Sequence, residues 1–194
     1  MLIKNREYSA VLFVHIPKTS GSSISKILKE KGLDNWKREW PRNHDPYSYL
    51  KEANLIDHKV FSFAVVRNPY TRTYSCYKQY NKTNQTTISF IEYLDNIIQK
   101  KISLITPLLH IPQSFYVMDQ GTVQVDRLYR FENLKELEDE LGWTLEFYNV
   151  GNYVVESYMQ DYSSEAINIV QNFYSSDFTN FGYSKDFNQT LVAK

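Results

Sequence analysis

The sequence predicts a three-layer α/β domain in which a mainly parallel central sheet is flanked by helices, with residues 1–194 forming a single domain. Three observations predict this fold. The continuous apolar runs AVLFVHI (10–16) and KVFSFAVV (59–66) are typical of strands buried on both faces. Each run is followed by a short turn and a helical pattern, and strands that alternate with helices favour parallel pairing. A chain of 194 residues is long enough to bury such a core.

The first half of the chain supplies two strands and two or three helices. After the first strand, Ser22 or Ser23 can cap a helix through ISKILKEKG, which Gly32 ends. The segment 33–58 is polar and irregular, with one short helix near YSYLKEA. The second strand leads through the turn RNPY, with Pro69 at the start of a helix, into TRTYSCYKQY.

The second half predicts mostly helices and two short strands. A helix covers ISFIEYLDNIIQK, and short strands are predicted at SFYVM and VDRLYRF. The run ENLKELEDEL forms a helix that ends at Gly142, and SEAINIVQNFY forms the last helix. The aromatic content is high, with 16 Tyr and 11 Phe, and the sequence alone favours the core as their place.

Composition and charge argue against several classes of partner. The formal net charge is zero and no long run of like charge occurs, so bulk attraction to nucleic acid or to an anionic membrane is not indicated. The apolar run near the N-terminus is too short to span a membrane and has no cleavage-site pattern. Cys76 is the only cysteine, so no intrachain disulfide is possible. We therefore expect a cytoplasmic protein, with its oligomeric state left open.

The segment FVHIPKTSGSSI (13–24) is typical of an anion-binding loop. A strand, a tight loop and a helix bring backbone N–H groups and the positive end of the helix dipole to one point. Lysine adds a full charge, hydroxyls add donors, and glycine lets the backbone approach a ligand closely. A lysine-bearing turn before an ordinary helix is the alternative. The predicted cofactor-binding residues of this loop are Pro17, Lys18, Thr19, Ser20, Gly21, Ser22 and Ser23.

The segment VVRNPYTRTYSCY predicts a second anion site. It ends a buried strand with Arg67, where an ATP-hydrolysing P-loop protein usually has an acidic residue for magnesium. A guanidinium there suits bidentate binding of a phosphate. Ligands of open α/β sheets bind at this edge, so Arg67 and the Lys18 loop are expected to face one crevice, with Ser75 turned toward the same phosphate. Arg72 is the alternative to Arg67 but is expected to be a solvated residue on the helix surface. The two motifs predict a ligand with two separated anionic groups and no metal.

HIPKTSGSSI and VVRNPYTRTYSCY together resemble the signatures of the PAPS-dependent sulfotransferases, especially bacterial-type members of the carbohydrate sulfotransferase branch. HIPQSFYV, VDRLYRFENL and FYSSDFTNFGYS are similar to later segments of that branch. The resemblance implies a P-loop-like α/β fold and 3′-phosphoadenosine-5′-phosphosulfate (PAPS) as the sulfonate donor, with 3′,5′-ADP as product. It implies a glycan or other small-molecule acceptor. It assigns the first motif to the 5′-phosphosulfate and the second to the 3′-phosphate.

The resemblance also suggests catalytic roles. Lys18 is placed to donate to the bridging oxygen as the sulfur–oxygen bond breaks, a reaction that needs positioning and charge neutralisation more than a metal. His44, in WPRNHDPYSYL, matches the position of the branch's catalytic histidine and is assigned as the base. His110 is the runner-up for the base and, with Gln113, resembles a substrate-facing segment. His15 is expected to be a core histidine.

Arg130, in LYRFENL, is expected near the cleft, as a contact to cofactor or acceptor or as part of a structural salt bridge.

Three functional classes compete: a sulfotransferase, a small-molecule or nucleotide kinase with a divergent P-loop, and a non-catalytic nucleotide-binding module. Lys18 lies ahead of Gly21, and Arg67 replaces an acidic residue, which argues against the kinase. The retained Lys18, Arg67 and Ser75 argue against the module. The acceptor, and whether its oxygen or nitrogen is sulfated, are left open.

Overall fold

The computed structural model describes residues 10–33, 44–52, 60–99, 109–146 and 159–190. The chain divides into two compact units, each built from two segments. Unit 1 comprises Met1–Val66 and Gln113–Val150, and unit 2 comprises Arg67–Pro112 and Gly151–Lys194. Each unit has a hydrophobic core of its own. The single-domain organisation stays a prediction.

The described elements follow one another along the chain, and a 3₁₀ turn lies at Phe131–Asn133 between β5 and α6. In order they are β1 (Ala10–Val14), α1 (Gly21–Glu30), α2 (Tyr47–Glu52), β2 (Val60–Val66), α3 (Pro69–Asn84), α4 (Phe90–Ile98), α5 (Ser114–Val117), β3 (Met118–Asp119), β4 (Thr122–Val123), β5 (Arg127–Arg130), α6 (Leu134–Leu141), α7 (Ser164–Phe173), α8 (Ser175–Asn180) and α9 (Phe187–Thr190).

The sheet of unit 1 is parallel, with the strand order β1-β2-β5 in the part of the chain that is described. Val14 of β1 pairs with Ala64 of β2, and Val66 of β2 pairs with Arg130 of β5, so the three strands end at one edge. Every residue of β2 is buried, as expected of a central strand covered on both faces. The prediction of an α/β fold with a mainly parallel sheet flanked by helices is confirmed.

Helices lie on both faces of this sheet. Phe61, Phe63 and Val65 of β2 point to one face, where their cluster includes apolar side chains of α1 and α6. Ser62 points to the opposite face because side chains alternate along a strand. There it forms a hydrogen bond with Tyr47 of α2. Helix α1 buries Ile24, Ile27 and Leu28, one apolar face of the helix, in this cluster.

The core of unit 2 is built largely from tyrosine and phenylalanine. Rings from α3, α4 and α8 pack edge to face, for example Tyr70 on Phe178 with 5.0 Å between ring centroids. Their hydroxyls bond inside the unit: Tyr74 donates to Asp161 Oδ2 at 2.6 Å and Tyr162 to the carbonyl of Tyr70 at 2.8 Å. Each ring therefore buries apolar area while its hydroxyl stays paired, which explains how the core accommodates so many tyrosines.

Three local predictions are wrong. The run SFYVM, predicted as a strand, forms helix α5, because a short apolar run fits either structure. Helices α8 and α9 follow the predicted last helix and are too short and polar to give a periodic signal. Ser20, rather than Ser22 or Ser23, occupies the N-cap position of α1, because the N–H of Ile24 already bonds the Ser20 carbonyl at 3.1 Å.

Arg72 also differs from expectation, since it is 1 % exposed instead of solvated. Its Nη2 donates to the carbonyl oxygens of Ile111 at 3.1 Å and Leu109 at 3.3 Å. The guanidinium carbon lies 6.0 Å from the centroid of the Tyr174 ring. The buried charge thus ties the segment 109–111 to helix α3 inside unit 2.

Candidate functional site

The loop between β1 and α1 has a backbone that ordinary residues rarely adopt. Lys18 and Ser20 have φ values of 68° and 70°, in the left-handed region. Non-glycine residues in this region concentrate at functional sites. No side chain caps α1 at Ser20, so the helix begins with its first-turn N–H groups and its positive dipole end at this loop. The arrangement suits the binding of an anion.

Internal hydrogen bonds fix the shape of this loop. The hydroxyl of Thr19 donates to the carbonyl of Ile16 at 2.9 Å, and the N–H of Ile16 donates to the carbonyl of Val14 at 3.1 Å. Thr19 is fully buried, so its hydroxyl proton stabilises the loop. Pro17, Gly21 and Ser23 are buried, while Lys18 and Ser20 are half-buried and Ser22 is exposed. The side chains that reach solvent are therefore those of Lys18, Ser20 and Ser22.

Gly21 is needed because the ring of His15 lies against it. A Cβ at position 21 would lie 1.6 Å from Nε2 of His15 and 2.0 Å from Cδ2. The backbone of Gly21 does not have a positive φ, so close packing is the requirement. The close approach that the sequence suggested for a ligand is, at this position, an approach of the His15 imidazole.

His15 brings His44 to the start of α1. Nδ1 of His44 lies 2.7 Å from the carbonyl oxygen of His15. A carbonyl only accepts, so Nδ1 of His44 carries the proton, and Nε2 carries the lone pair when the ring is neutral. The two ring centroids are 4.3 Å apart, and the His15 ring also stacks on Phe13 at 5.3 Å. The predicted base and the predicted anion loop thus meet through one residue of unit 1.

The His15 ring is half-buried and does not lie in the core as the sequence suggested. Desolvation by burial, followed by the charge of His44, lowers the pKa of His15 to about 3. His15 is therefore neutral at neutral pH, and a positive charge in this pair of rings belongs to His44. The pair has no local signal in the sequence, because His15 and His44 are 29 positions apart.

Two further candidates lie in unit 1. Arg130 is the last residue of β5 and is exposed at the edge where β1 also ends. Neighbouring strands are about 4.8 Å apart, so β1 and β5, which lie on either side of β2, are about 10 Å apart. Arg130 and the Lys18 loop therefore lie at the same edge of the described sheet, one on each side of β2. Gln113, at the N-cap position of α5, is fully buried.

Arg67 and Ser75 lie at the beginning of unit 2. Nε of the half-buried Arg67 donates to Oγ1 of Thr71 at 3.0 Å. Asn68 caps α3 by accepting from the N–H of Tyr70 at 2.9 Å, and Pro69 occupies the first turn as predicted. Ser75 follows Thr71 by four residues and so shares its face of α3. Arg67 thus points along the helix face that carries Ser75.

His110 lies in the aromatic core of unit 2. Its Nδ1 is 2.9 Å from the hydroxyl of Tyr93, and its carbonyl accepts from the hydroxyl of Tyr174 at 3.1 Å. Among the described residues nothing forms a hydrogen bond with its buried Nε2. Burial, and then the charge of Arg72, lowers the pKa of His110 to about 4, so the ring is neutral at neutral pH.

The described part of the chain lacks two kinds of feature. No described helix has the length and apolarity needed to cross a membrane. The described His, Cys, Asp and Glu side chains form no group of three or more that could hold a metal ion. Cys76 is buried, and its Sγ lies 3.1 Å from the carbonyl oxygen of Leu109.

Comparison of the sequence with protein-family models and with curated proteins gives no match. Among solved structures, the chain is similar to the crystal structure of a sulfotransferase from Alicyclobacillus acidocaldarius. The two share 12% sequence identity and a TM-score of 0.39, over 96% of this chain and 92% of the other. The similarity is too distant for a comparison of individual residues.

Proposed function

We propose that the protein is a PAPS-dependent sulfotransferase of the carbohydrate sulfotransferase type, which transfers a sulfonate group to a hydroxyl of a glycan or another hydroxylated acceptor without a metal. One observation carries the proposal. In unit 1, His44 lies against His15, and His15 lies against Gly21, where the anion loop that contains Lys18 ends and α1 begins. An anion loop with a lysine, next to a histidine with a basic Nε2, suits transfer from an anionic donor to a hydroxyl.

The proposed donor, PAPS, has two separated anionic groups, and the predicted cofactor-binding residues divide between them. Lys18, Ser20, Ser22 and the first N–H groups of α1 are proposed to hold the 5′-phosphosulfate. The buried loop residues Pro17, Thr19, Gly21 and Ser23 are proposed to shape that cradle. Arg67 and Ser75, on one face of α3, are proposed to hold the 3′-phosphate. PAPS supplies a sulfonate group activated for transfer, and 3′,5′-ADP is the product.

Each catalytic side chain has a defined task. The ammonium group of Lys18 neutralises negative charge that develops on the leaving phosphate oxygen. Nε2 of His44 takes the proton of the acceptor hydroxyl, while its Nδ1–H stays bonded to the carbonyl of His15. That hydrogen bond strengthens when the ring becomes positive, because a charged donor forms a stronger bond. His44 is therefore supported in the charged state it must reach.

Three further residues, Arg130, Gln113 and His110, belong to the proposal. Arg130 is exposed at the sheet edge and is proposed to contact the acceptor or the nucleotide. Gln113 and His110 are buried, and we propose that they support the segment of the chain that contacts the acceptor. A small-molecule or glycan acceptor and a cytoplasmic location, with no nucleic-acid partner, complete the proposal.

Ligand-dependent thermal stability tests the proposal. Melting is measured with 3′,5′-ADP, with 5′-AMP, and with ATP plus magnesium, each with and without EDTA. Ligand at about 100 times its Kd adds about 2.7 kcal/mol, or roughly 5–10 °C in Tm for this size. We expect a shift with 3′,5′-ADP that EDTA does not change. A shift only with ATP plus magnesium would indicate a kinase, and no shift would indicate a module that does not use this donor; either result contradicts the proposal.

A matched pair of lysine variants sharpens this test. Lys18→Ala removes the charge from the loop, whereas Lys29→Ala removes an exposed lysine from the far end of α1. A hydrogen bond to a charged group contributes about 1.5–3 kcal/mol, which corresponds to roughly a ten- to hundredfold loss of affinity. We expect this loss of affinity for 3′,5′-ADP in Lys18→Ala and no change in Lys29→Ala. The release of 3′,5′-ADP from PAPS, measured with a panel of glycans, then tests turnover.

A further inference from the structure

We propose that His15 is a positioning residue for His44: its carbonyl oxygen selects the nitrogen of His44 that acts as the base, and its ring fixes the plane of the His44 ring. This inference rests on the proposed function only in taking His44 as the base. The contacts that carry it all lie within unit 1.

The carbonyl of His15 is held in place on both sides. Ile16, the next residue, donates its N–H to Val14 and accepts the hydroxyl of the buried Thr19 through its carbonyl. The His15 carbonyl lies beyond the last residue of β1 and accepts from Nδ1 of His44 at 2.7 Å. A half-turn of the His44 ring would place Cδ2 against this oxygen and lose a hydrogen bond, at a cost of about 1 kcal/mol. The carbonyl therefore keeps Nε2 as the basic nitrogen.

The ring of His15 is packed on three sides. Phe13 stacks on it with 5.3 Å between centroids and 23° between planes. The backbone of Gly21 leaves no room for a Cβ beside it. His44 lies on it at 4.3 Å and 54°. Because Phe13 and Gly21 hold the His15 ring in place, the ring is a fixed surface against which the His44 ring packs.

The charge state of His15 fits this role. Its pKa of about 3 keeps the ring neutral while His44 gains a proton. A neutral neighbour does not repel the imidazolium that forms on His44, as a second positive ring at this distance would. His15 thus supports His44 through packing and through its carbonyl, without taking the proton itself.

Three variants of His15 test the inference, and all of them keep the carbonyl. His15→Ala removes the ring that packs against His44, and His15→Phe restores a flat neutral ring. The readouts are the ¹⁵N signals of the His44 ring, assigned with His44→Asn, and the steady-state kinetics with PAPS. In His15→Ala the His44 ring is no longer held in the plane that aims Nδ1 at the carbonyl, so we expect the Nδ1–H form to lose population. We expect kcat to fall about tenfold, with KM for PAPS within twofold. For His15→Phe we expect the Nδ1–H form and most of the lost kcat to return.

The outcomes separate this inference from the proposed function. Wild-type His44 signals and kcat in His15→Ala would overturn the inference, while binding of 3′,5′-ADP would still support the sulfotransferase. Absence of 3′,5′-ADP binding would contradict the sulfotransferase, and the His44 signals would still report on His15. If His15→Ala does not fold, His15→Leu takes its place, because it fills space without a flat ring, and the same loss is expected. A response of the His44 signals to Lys29→Ala, equal to that of the His15 variant, would also overturn the inference.

Discussion

Replacing Gly21 with alanine sets two physical effects of opposite sign against each other. Alanine is more favourable than glycine in a helix by roughly 0.5–1 kcal/mol. Gly21 starts α1 without a positive φ, so an alanine would meet no backbone strain there. Helix propensity alone therefore predicts that Gly21→Ala stabilises the protein.

The packing of His15 predicts the reverse. The new Cβ would lie 1.6 Å from Nε2 and 2.4 Å from Cε1 of the ring. Ordinary contacts lie near 3.5 Å, so the ring must move by about 2 Å. Phe13 and His44 occupy its neighbouring space, so this movement disturbs both contacts. Overpacking costs about 1–3 kcal/mol. After the gain in propensity, we expect a net loss of about 1–2 kcal/mol, or roughly 2–8 °C in Tm.

A double-mutant cycle isolates the cause of this loss. The free energy of unfolding is measured by denaturant titration for the wild type, Gly21→Ala, His15→Ala and the double variant. Once the His15 ring is gone, alanine at position 21 has space, and we expect it to stabilise by about 0.5 kcal/mol. An equal loss in both backgrounds, or a more stable single Gly21→Ala variant, would refute the reasoning.

Three further predictions concern buried polar groups. Arg72→Met leaves the carbonyls of Leu109 and Ile111 without their donor, and we expect a loss of about 2–4 kcal/mol in chemical denaturation. Thr19→Val removes the hydroxyl from the loop, and we expect a loss of about 1–2 kcal/mol by the same measurement. His110 has a pKa of about 4 when folded and about 6.5 when unfolded, so its contribution to stability is full above pH 6.5 and falls as the pH is lowered toward 4. His110→Asn should flatten that fall, which amounts to about 3 kcal/mol at most.

Matched variants control these three measurements. Lys82→Met removes an exposed charge from the same helix as Arg72 and should change stability by less than about 0.5 kcal/mol. Thr19→Ser keeps the hydroxyl and should recover most of the loss. The pKa of His15 is about 3, so His15 also makes the stability fall at acid pH, and this part of the fall should remain in His110→Asn. A wild-type pH profile in His110→Asn, or equal losses in Arg72→Met and Lys82→Met, would contradict the reasoning.

The sequence predicted the sheet and the strand–loop–helix arrangement around Lys18 because both depend on local patterns. A continuous apolar run marks a strand covered on both faces, and β2 is buried at every residue. The end of helix α6 at Gly142, with φ 66°, follows from the freedom of glycine in the left-handed region. In each case the information lies within a few neighbouring residues, so no tertiary contact is needed to find it.

The hydrogen bonds of His44 and Arg72 were not predictable from the sequence, because their acceptors are backbone carbonyls far away along the chain. The acceptor of His44 is a carbonyl 29 positions earlier, and Arg72 donates to carbonyls 37 and 39 positions later. Every residue has a carbonyl, so no residue type marks these acceptors in the sequence. The need for glycine at position 21 depends on the same fold, since only the folded loop brings the His15 ring against it.

The order in which the chain contributes to the two units affects folding during synthesis. Each unit is made of an early and a late segment. In unit 1, the bond between Ser62 and Asp126 joins positions 64 residues apart, and in unit 2 the bond from Tyr70 to the carbonyl of Lys185 joins positions 115 apart. A ribosome adds about 5–20 residues per second, so the apolar strand β2 leaves the exit tunnel several seconds before β5 can pair with it. A nascent chain that stops near residue 112 has completed neither core, so its apolar strand β2 stays exposed to water until the later segments are made.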